Sequence, residues 1–144
     1  PLMEYAIKEA LRMNPPVPAM PRQTVRDVEF KGHRIPKGTV VGICTFATHH
    51  DPSIWNAPNE LDPLRFSPEG GRKERHRYAW IPFGGGAHMC LGLHFAYMQT
   101  KVIMAHLLPQ YEIVLPEGYT TKFLILPIIK PVDGLPISLK PVSA

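Results

Sequence analysis

Cys90 occupies the position in this chain that best suits chemistry. It follows the glycine-rich stretch Gly84 to Gly86 and directly precedes residues 91–108, whose apolar side chains recur at helical spacing. Amide N–H groups at the N-terminus of a helix lack partners within the helix and carry partial positive charge, so they stabilise a thiolate. A cysteine in this position could therefore serve as a metal ligand or as a nucleophile.

Several kinds of site could use this thiolate. As an iron ligand it would lie below a flat macrocycle, because the glycines let the backbone approach such a group and Phe83 could shield the sulfur. His88 and His94 could share a zinc ion with Cys90, although structural zinc normally has four ligands. Either histidine could instead be the base of a cysteine hydrolase, but no third residue that would orient it is identified. A phosphate-binding loop is excluded, since no Gly-Lys-Ser/Thr sequence follows the glycines.

The composition narrows the class of protein further. Sixteen Lys and Arg against twelve Asp and Glu give a net charge of +4, too small an excess to indicate nucleic-acid binding. The sequence contains no run of about 18 apolar residues, the length that a membrane-spanning helix needs. Cys44 and Cys90 lie in dissimilar contexts, which argues against a disulfide framework and favours a reducing compartment. Cys44, inside an apolar run, is expected to be a small buried hydrophobe.

Two helices are predicted to frame these residues. The apolar side chains of residues 2–13 recur at helical spacing until two consecutive prolines end the segment. Residues 91–108 form the longest periodic segment, which Pro109 closes. The sequence therefore places Cys90 at the N-terminal end of the longer helix.

Short strands and turns are predicted for the rest, as the 17 prolines suggest. Residues 28–35 indicate a hairpin around a Lys31-Gly32 turn, and residues 49–77 an ordered meander with at most a helical turn or two. Four further strands are predicted. They lie at residues 39–46, which would be buried, at residues 111–115, and at residues 122–129 and 136–139, which would pair across the Asp133-Gly134 turn.

The stretch around Cys90 contains five residues at the spacing F-x-x-G-x-[RH]-x-C-x-G: Phe83, Gly86, His88, Cys90 and Gly92. This resembles the haem-binding signature of the cytochrome P450 family. The resemblance implies that Cys90 is the axial thiolate ligand of a haem b iron, whose electron donation favours O–O bond cleavage. It also implies that His88, where most members have Arg, contacts a haem propionate.

Other motifs resemble the same family in the same order along the chain. Glu9 and Arg12 match the E-x-x-R motif of its K helix, a motif that alone usually marks an exposed ion pair. Residues 63–66 resemble its P-E-R-F element, with Arg65 in the Arg position and Leu64 in place of the Glu. The family pattern implies a buried network of Glu9, Arg12 and Arg65.

Two further segments extend the resemblance over nearly the whole chain. Residues 21–39 are similar to the family's first sheet, which makes Arg22 a second propionate candidate. Residues 49–58, with His49, His50 and Trp55, are similar to the H-R-D-P-x-x-W-x-x-P stretch before the meander. The implied fold class is an α+β fragment of the mainly-α cytochrome P450 fold. Its parts are a K helix, small β-sheets, a meander, a cysteine loop, an L helix and a C-terminal β-hairpin.

The resemblance implies that residues 1–144 are a single partial domain, the C-terminal haem-binding part of a longer catalytic domain. A start at Pro1, already in helical pattern, agrees with a chain cut from a longer one. The family's oxygen-activating helix would precede residue 1, so the fragment alone is expected to be inactive. The resemblance implies a cytoplasmic location for a bacterial member. It leaves open whether a membrane anchor lies upstream of this segment.

The implied activity is a monooxygenase that hydroxylates a lipophilic substrate, such as a sterol, terpenoid or fatty acid, with O2 and electrons from a ferredoxin- or flavin-type donor. A monomer without nucleic-acid partners is expected. Residues 80–84, His88 and Met98-Gln99 resemble the bacterial sterol 14-demethylase branch. Two alternatives stay open, namely a non-catalytic haem-binding fragment and a Cys-dependent hydrolase without haem.

Two surfaces follow from the same resemblance. The residues implied to face substrate are Val17, Ala19, Met20, Phe123 and Leu124. The basic residues implied to receive an acidic electron donor are Arg72, Lys73, Arg75, Arg77 and Lys101. On residue types alone, the run at 72–77 is an ordinary solvated loop and the apolar set is ordinary core.

Overall fold

The computed structural model describes residues 1–70, 75–125 and 127–142. This part of the chain holds three α-helices: α1 (Leu2–Met13), α2 (Thr45–His49) and α3 (Leu93–Leu107). Single turns of 3-10 helix lie at Pro63–Phe66 and Gly86–His88. No helix among the described residues is long and apolar enough to cross a membrane.

Both predicted helices are confirmed. α1 has the predicted bounds and ends because Pro15 and Pro16 cannot continue it. α3 begins at Leu93, two residues later than predicted, because Gly92 takes its N-cap position. Cys90 therefore lies in the loop just before the helix, and the helix leads away from it.

Two antiparallel strand pairs follow α1: β1 (Ala19–Gln23) with β4 (Val40–Cys44), and β2 (Val28–Phe30) with β3 (His33–Ile35). The turn between β2 and β3 lies at Lys31-Gly32, as predicted, with Gly32 at a φ of 78° that favours glycine. On β1, Met20 and Arg22 are two residues apart, so their side chains lie on the same face of the strand.

The predicted buried strand at residues 39–46 is shorter and more exposed than expected. β4 ends at Cys44, and the next two residues begin α2. Cys44 is exposed, so the expectation of a buried hydrophobe is wrong. Its Sγ accepts a hydrogen bond from the Ala47 N–H at 3.4 Å and caps α2. The physical reason is that a two-stranded sheet leaves most of β4 open to solvent.

The C-terminal strands are antiparallel, but the predicted pairing is wrong. The observed pairs are β5 (Tyr111–Val114) with β8 (Ser138–Pro141), and β6 (Phe123–Leu124) with β7 (Lys130–Pro131). The Asp133-Gly134 turn exists, with Gly134 at φ 79° and Leu135 at φ 60°. The Asp133 carboxylate accepts hydrogen bonds from the Tyr119 hydroxyl at 2.9 Å and from the Leu135 N–H at 3.2 Å. These bonds lie in the turn that follows β7, and the chain then continues to β8, which pairs with β5.

The buried apolar cluster of the described residues is small. Trp55, Phe66 and Ala79 form it, and Tyr5 and Trp80 pack against it. The ring centroids of Trp55 and Phe66 are 5.9 Å apart, and those of Phe66 and Trp80 are 5.8 Å apart in an edge-to-face arrangement. This cluster fixes the meander against α1.

A charged network also joins α1 to the meander. Glu9 and Arg12 are fully buried, and the Arg12 Nε donates to Glu9 Oε2 at 2.8 Å. The Arg65 Nε donates to Glu9 Oε1 at 3.2 Å, and the Asp62 N–H donates to the same oxygen at 3.0 Å. The structure thus brings Glu9, Arg12 and Arg65 together as the resemblance implies, with Leu64 exposed beside them.

The two guanidinium groups of this network also hold backbone carbonyl groups. Arg12 donates to the carbonyl oxygens of His49 at 2.8 Å and Pro58 at 2.7 Å. Arg65 donates to the carbonyl of Ala57 at 2.8 Å. Burial raises the pKa of Glu9, but the hydrogen bonds from Arg12 and the Asp62 amide outweigh it and hold the pKa below its ordinary value. The carboxylate is therefore charged and paired at neutral pH.

The opposite side of α1 faces a groove shared with α3. Its volume is about 770 Å³, and its walls are almost entirely apolar side chains of the two helices. At one end, Glu4 on α1 links the helices, because its carboxylate accepts from Lys8 at 2.6 Å and from Lys101 at 3.1 Å. The hydrogen bond from Lys8 and then that from Lys101 lower the pKa of Glu4 to about 2.

Removing Arg12 should expose the cost of the buried carboxylate. Arg12→Met should lower the free energy of unfolding by about 3 to 5 kcal/mol or prevent folding, because Glu9 loses its main partner inside the protein. Arg34→Met is the matched control, since the Arg34 guanidinium is mostly exposed and its salt bridge with Asp27 lies at the surface, so stability should change little. Urea unfolding of both variants measures this difference, and equal losses would contradict the role of the network.

The pH dependence of the Glu4 link has a definite sign. The folded-state pKa lies below the ordinary 4.5, so the charged carboxylate stabilises the fold above that pH, and the contribution is lost as pH falls toward 2. Glu4→Gln should cost at most about 1 kcal/mol at neutral pH, because both pairs are partly exposed. In urea unfolding, the deficit against wild type should shrink between pH 4.5 and 2. A deficit independent of pH would count against the link.

Candidate functional site

Cys90 is held in a loop that closes on itself through backbone hydrogen bonds. The Cys90 N–H donates to the Phe83 carbonyl at 2.9 Å, and the Gly84 N–H donates to the Ile81 carbonyl at 3.0 Å. Within the loop, the turn that starts at Gly86 is closed by a bond from the Met89 N–H at 3.2 Å. The Cys90 thiol is free and exposed, so it is available to a group placed over the loop.

Two glycines let this loop take its shape. Gly84 has a φ of 74°, and a Cβ at this position would lie 3.3 Å from the His88 carbonyl oxygen and 3.4 Å from the Met20 sulfur. Gly86 has a φ of 63°, and a Cβ there would meet no atom within 4 Å. Gly84 is thus required by backbone conformation and close packing, whereas Gly86 is required by conformation and leaves open space above the backbone.

The N-terminal end of α3 lies beside the thiol. A Cβ built on Gly92, the N-cap residue, would be 3.7 Å from the Cys90 Sγ. No side chain caps this helix end, so its first N–H groups remain able to stabilise negative charge nearby. The thiol and the uncapped helix end are thus neighbours.

Arg22 and His88, the two propionate candidates, line the same cleft. It has a volume of about 370 Å³, and Met20, Ile43 and Tyr78 are among its other walls. The Arg22 guanidinium donates to the Pro21 carbonyl at 2.8 Å, and the His88 ring has no hydrogen-bond partner among the described residues. The structure therefore gathers two groups that suit an anion, although they lie 66 positions apart in the sequence.

His49 is a residue that the sequence reasoning did not single out for this site. It is fully buried at the end of α2, with Nε2 2.9 Å from the Ile81 amide nitrogen and Nδ1 3.2 Å from the Arg12 carbonyl oxygen. Burial lowers the pKa of His49 to about 4; the Arg12 charge acts in the same direction and the bond to the Arg12 carbonyl opposes it. The ring is therefore neutral at physiological pH. The sequence feature that could have identified His49 is its position in the stretch that resembles H-R-D-P-x-x-W-x-x-P.

The residues expected to face substrate lie in two segments that the fold brings together. Val17, Ala19 and Met20 follow α1, and Phe123 and Leu124 form β6. The two segments are joined because the Ile129 N–H, just before β7, donates to the Pro16 carbonyl at 2.8 Å. Of the five, Met20 lies in the cleft with Arg22 and His88.

Among the residues expected to receive an electron donor, the three that the structure describes differ in their surroundings. Arg72 and Lys73 lie outside the described residues. Arg75 differs from the expectation, because its guanidinium bonds inward to the carbonyls of Gly70 and Arg65 and stacks on Trp55 at 4.7 Å. It braces the meander. Arg77 is exposed and its guanidinium lies 4.6 Å from the Tyr78 ring, while Lys101 is tied to Glu4.

The alternative sites at Cys90 find no support in this geometry. Among the described residues, no group of three His, Cys, Asp or Glu side chains could hold a metal ion, so the zinc interpretation with His88 and His94 lacks its ligands. The Cys90 Sγ also has no hydrogen bond to a histidine in this part of the chain, whereas the nucleophile of a cysteine hydrolase is expected to have one.

Comparison with known proteins shows which family the chain is similar to. A family model described as Cytochrome P450 matches residues 1–131. The chain is 39% identical over 140 residues to a putative cytochrome P450 136 of Mycobacterium tuberculosis, covering 96% of this chain and 28% of that protein. It is 38% identical over 144 residues to cytochrome P450 4F8 of Homo sapiens, covering 99% of this chain and 27% of that protein. The chain thus spans less than a third of these relatives.

Solved structures share the fold at similar coverage. The structure of cyanobacterial CYP120A1 with bound retinoic acid matches with a TM-score of 0.92 and 33% identity, covering 99% of this chain and 33% of that one. The heme domain of cytochrome P450DA matches with a TM-score of 0.89 and 28% identity, covering 99% and 32%. The predicted fold class is confirmed. None of the relatives named here is called a sterol demethylase, so that resemblance stays a prediction. The chain belongs to the cytochrome P450 family of haem-containing monooxygenases.

Proposed function

We propose that this chain forms the C-terminal haem-binding part of a catalytic domain, with Cys90 as the axial thiolate ligand of haem b. The observation that carries the proposal is the free, exposed Cys90 thiol at the uncapped N-terminal end of α3. The domain would hydroxylate a lipophilic substrate. Its proximal haem face would be built by the cysteine loop of residues 83–92.

The residues present fit a haem in three respects. A cysteine thiolate is one of the side chains that ligate haem iron. The open space above Gly86 lets a flat group approach the loop backbone. The cleft that holds Arg22 and His88 offers donors to carboxylate groups, as the propionates of haem require.

Each side chain would have a distinct task. Cys90 would hold the haem and donate electron density to it, while the N–H groups of α3 would moderate that charge. Arg22, with a planar guanidinium, could bind one propionate with two hydrogen bonds. His88 would donate to a propionate from a ring nitrogen. When bound, the haem supplies the chemistry of oxygen activation.

The proposed substrate class rests on the apolar character of the residues expected to face substrate and on one relative. The structure of CYP120A1 contains retinoic acid. Val17, Ala19, Met20, Phe123 and Leu124 offer aliphatic, thioether and aromatic surface with no ionisable group among them. A lipophilic molecule such as a terpenoid, sterol or fatty acid would be recognised by such surface.

Electrons would come from an acidic ferredoxin- or flavin-type donor. Arg77 is the exposed cation of the predicted set that the structure describes, and it lies on the segment that leads into the cysteine loop. Steering by opposite charge would speed the encounter and weaken as salt concentration rises. Arg72 and Lys73 belong to the same proposal on sequence grounds.

Cys90→Ser tests the ligand directly. In the haem-loaded protein, the reduced carbon monoxide complex should show the long-wavelength Soret band of thiolate ligation, and Cys90→Ser should lose it. Cys44→Ser is the matched control, because Cys44 is the other free, exposed cysteine and its Sγ caps α2, and it should keep the band. An unshifted band in wild type would contradict thiolate ligation. No Soret band together with inactivation by thiol alkylation would favour the hydrolase, and a shifted band without hydroxylation in the presence of a donor would favour a non-catalytic haem protein.

Arg22→Met and His88→Leu test the propionate contacts. Each should weaken haem binding by roughly 10- to 100-fold, the range for a lost charge-assisted hydrogen bond. Haem transfer to apomyoglobin measures the loss. Arg34→Met removes an exposed guanidinium from the neighbouring hairpin and should not change haem transfer. Wild-type transfer rates in both site variants would contradict the assignment.

A further inference from the structure

We infer that His49 is a positioning residue for Cys90: its neutral ring accepts the Ile81 N–H and thereby fixes the start of the cysteine loop against α1. The inference rests on the proposed function, since it concerns the placement of the proposed haem ligand. His49 touches neither the loop glycines nor Cys90 through any described hydrogen bond, so its effect would be transmitted by the backbone.

The two hydrogen bonds of the ring determine its protonation. The Ile81 amide can only donate, so His49 Nε2, 2.9 Å away, must carry no proton. The Arg12 carbonyl can only accept, so Nδ1, 3.2 Å away, must carry the proton. A doubly protonated ring would oppose the Ile81 N–H with a second N–H. The site therefore selects one neutral tautomer.

Arg12 and His49 hold each other through reciprocal contacts. The Arg12 guanidinium donates to the His49 carbonyl at 2.8 Å, while the His49 ring donates to the Arg12 carbonyl. The charged network at Glu9 thus fixes the backbone that carries the imidazole. Because both residues are fully buried, the ring has little freedom to turn.

From Ile81 the connection continues along the loop to Cys90. The Ile81 carbonyl accepts the Gly84 N–H at 3.0 Å, and the Phe83 carbonyl accepts the Cys90 N–H at 2.9 Å. A second anchor lies beside the first, because the Trp80 indole N–H donates to the Lys8 carbonyl at 3.1 Å. Both anchors end on carbonyl groups in the last two turns of α1. The start of the loop is therefore held at two consecutive residues, Trp80 and Ile81.

The requirement for histidine at this position is chemical. One side chain must accept a hydrogen bond on one side and donate one on the other, across the width of an imidazole. Glutamine can place an acceptor near the Nε2 position, and asparagine can place a donor near the Nδ1 position. The two amides therefore separate the bond to Ile81 from the bond to Arg12.

Three variants of the haem-loaded protein test the inference: His49→Gln, His49→Asn and His49→Phe. We expect His49→Gln to keep the thiolate Soret band of the reduced carbon monoxide complex and the wild-type rate of haem loss. His49→Asn and His49→Phe should lose part of that band and release haem roughly tenfold faster. Loss of a residue that orients a metal ligand typically has an effect of about this size. Amide hydrogen exchange at Ile81 should be slow in wild type and His49→Gln, and fast in the other two.

The possible outcomes separate this inference from the proposed function. If wild type itself lacks the thiolate band, the proposed function fails. If wild type shows the band and His49→Asn matches it in spectrum, haem loss and Ile81 exchange, the positioning role is wrong. Equal damage in His49→Gln and His49→Asn, with Ile81 exchange still slow in His49→Gln, also overturns it, because the Ile81 bond would then not be what holds the loop. Should His49→Phe not fold, the two amide variants still decide, with thermal unfolding showing whether their stabilities match.

Discussion

The interaction on which the rest of this structure depends is the burial of the Glu9 carboxylate. A charge removed from water must be paired and fully hydrogen-bonded, and the partners of Glu9 come from α1 itself and from the distant Arg65. The guanidinium groups then use their remaining donors on carbonyls of the meander. These hydrogen bonds fix the described part of the proline-rich meander, which has little secondary structure, in one conformation against α1.

The position of the cysteine loop depends on the same buried network. The Trp80 indole bonds to α1 directly, and Ile81 does so through His49. Cys90 is then placed by short loop closures at the uncapped end of α3. The placement of Cys90 is thus connected to the buried ion network through hydrogen bonds, and the apolar cluster at Trp55 is small in the part of the chain that the structure describes.

The distribution of polarity around α1 is the reverse of that in an ordinary surface helix. Its buried side chains are Lys8, Glu9 and Arg12, while its apolar side chains line the open groove shared with α3. The chain covers less than a third of relatives that share its fold. The charged inner face of α1 therefore holds the meander and the start of the cysteine loop through hydrogen bonds.

The sequence by itself determined the local structure and the order of motifs. Helical spacing predicted α1 and α3, Lys31-Gly32 predicted its hairpin, and the spacing from Phe83 to Gly92 located the candidate site, because these patterns depend on neighbours a few residues away. Only the tertiary structure decided the contacts between distant residues. It turned Arg75 inward, exposed Cys44, paired β8 with β5 and gave His49 its place between α1 and Ile81. Such choices depend on which carbonyl, strand edge or amide lies opposite a side chain once the chain has folded, and residue types and spacing do not record that.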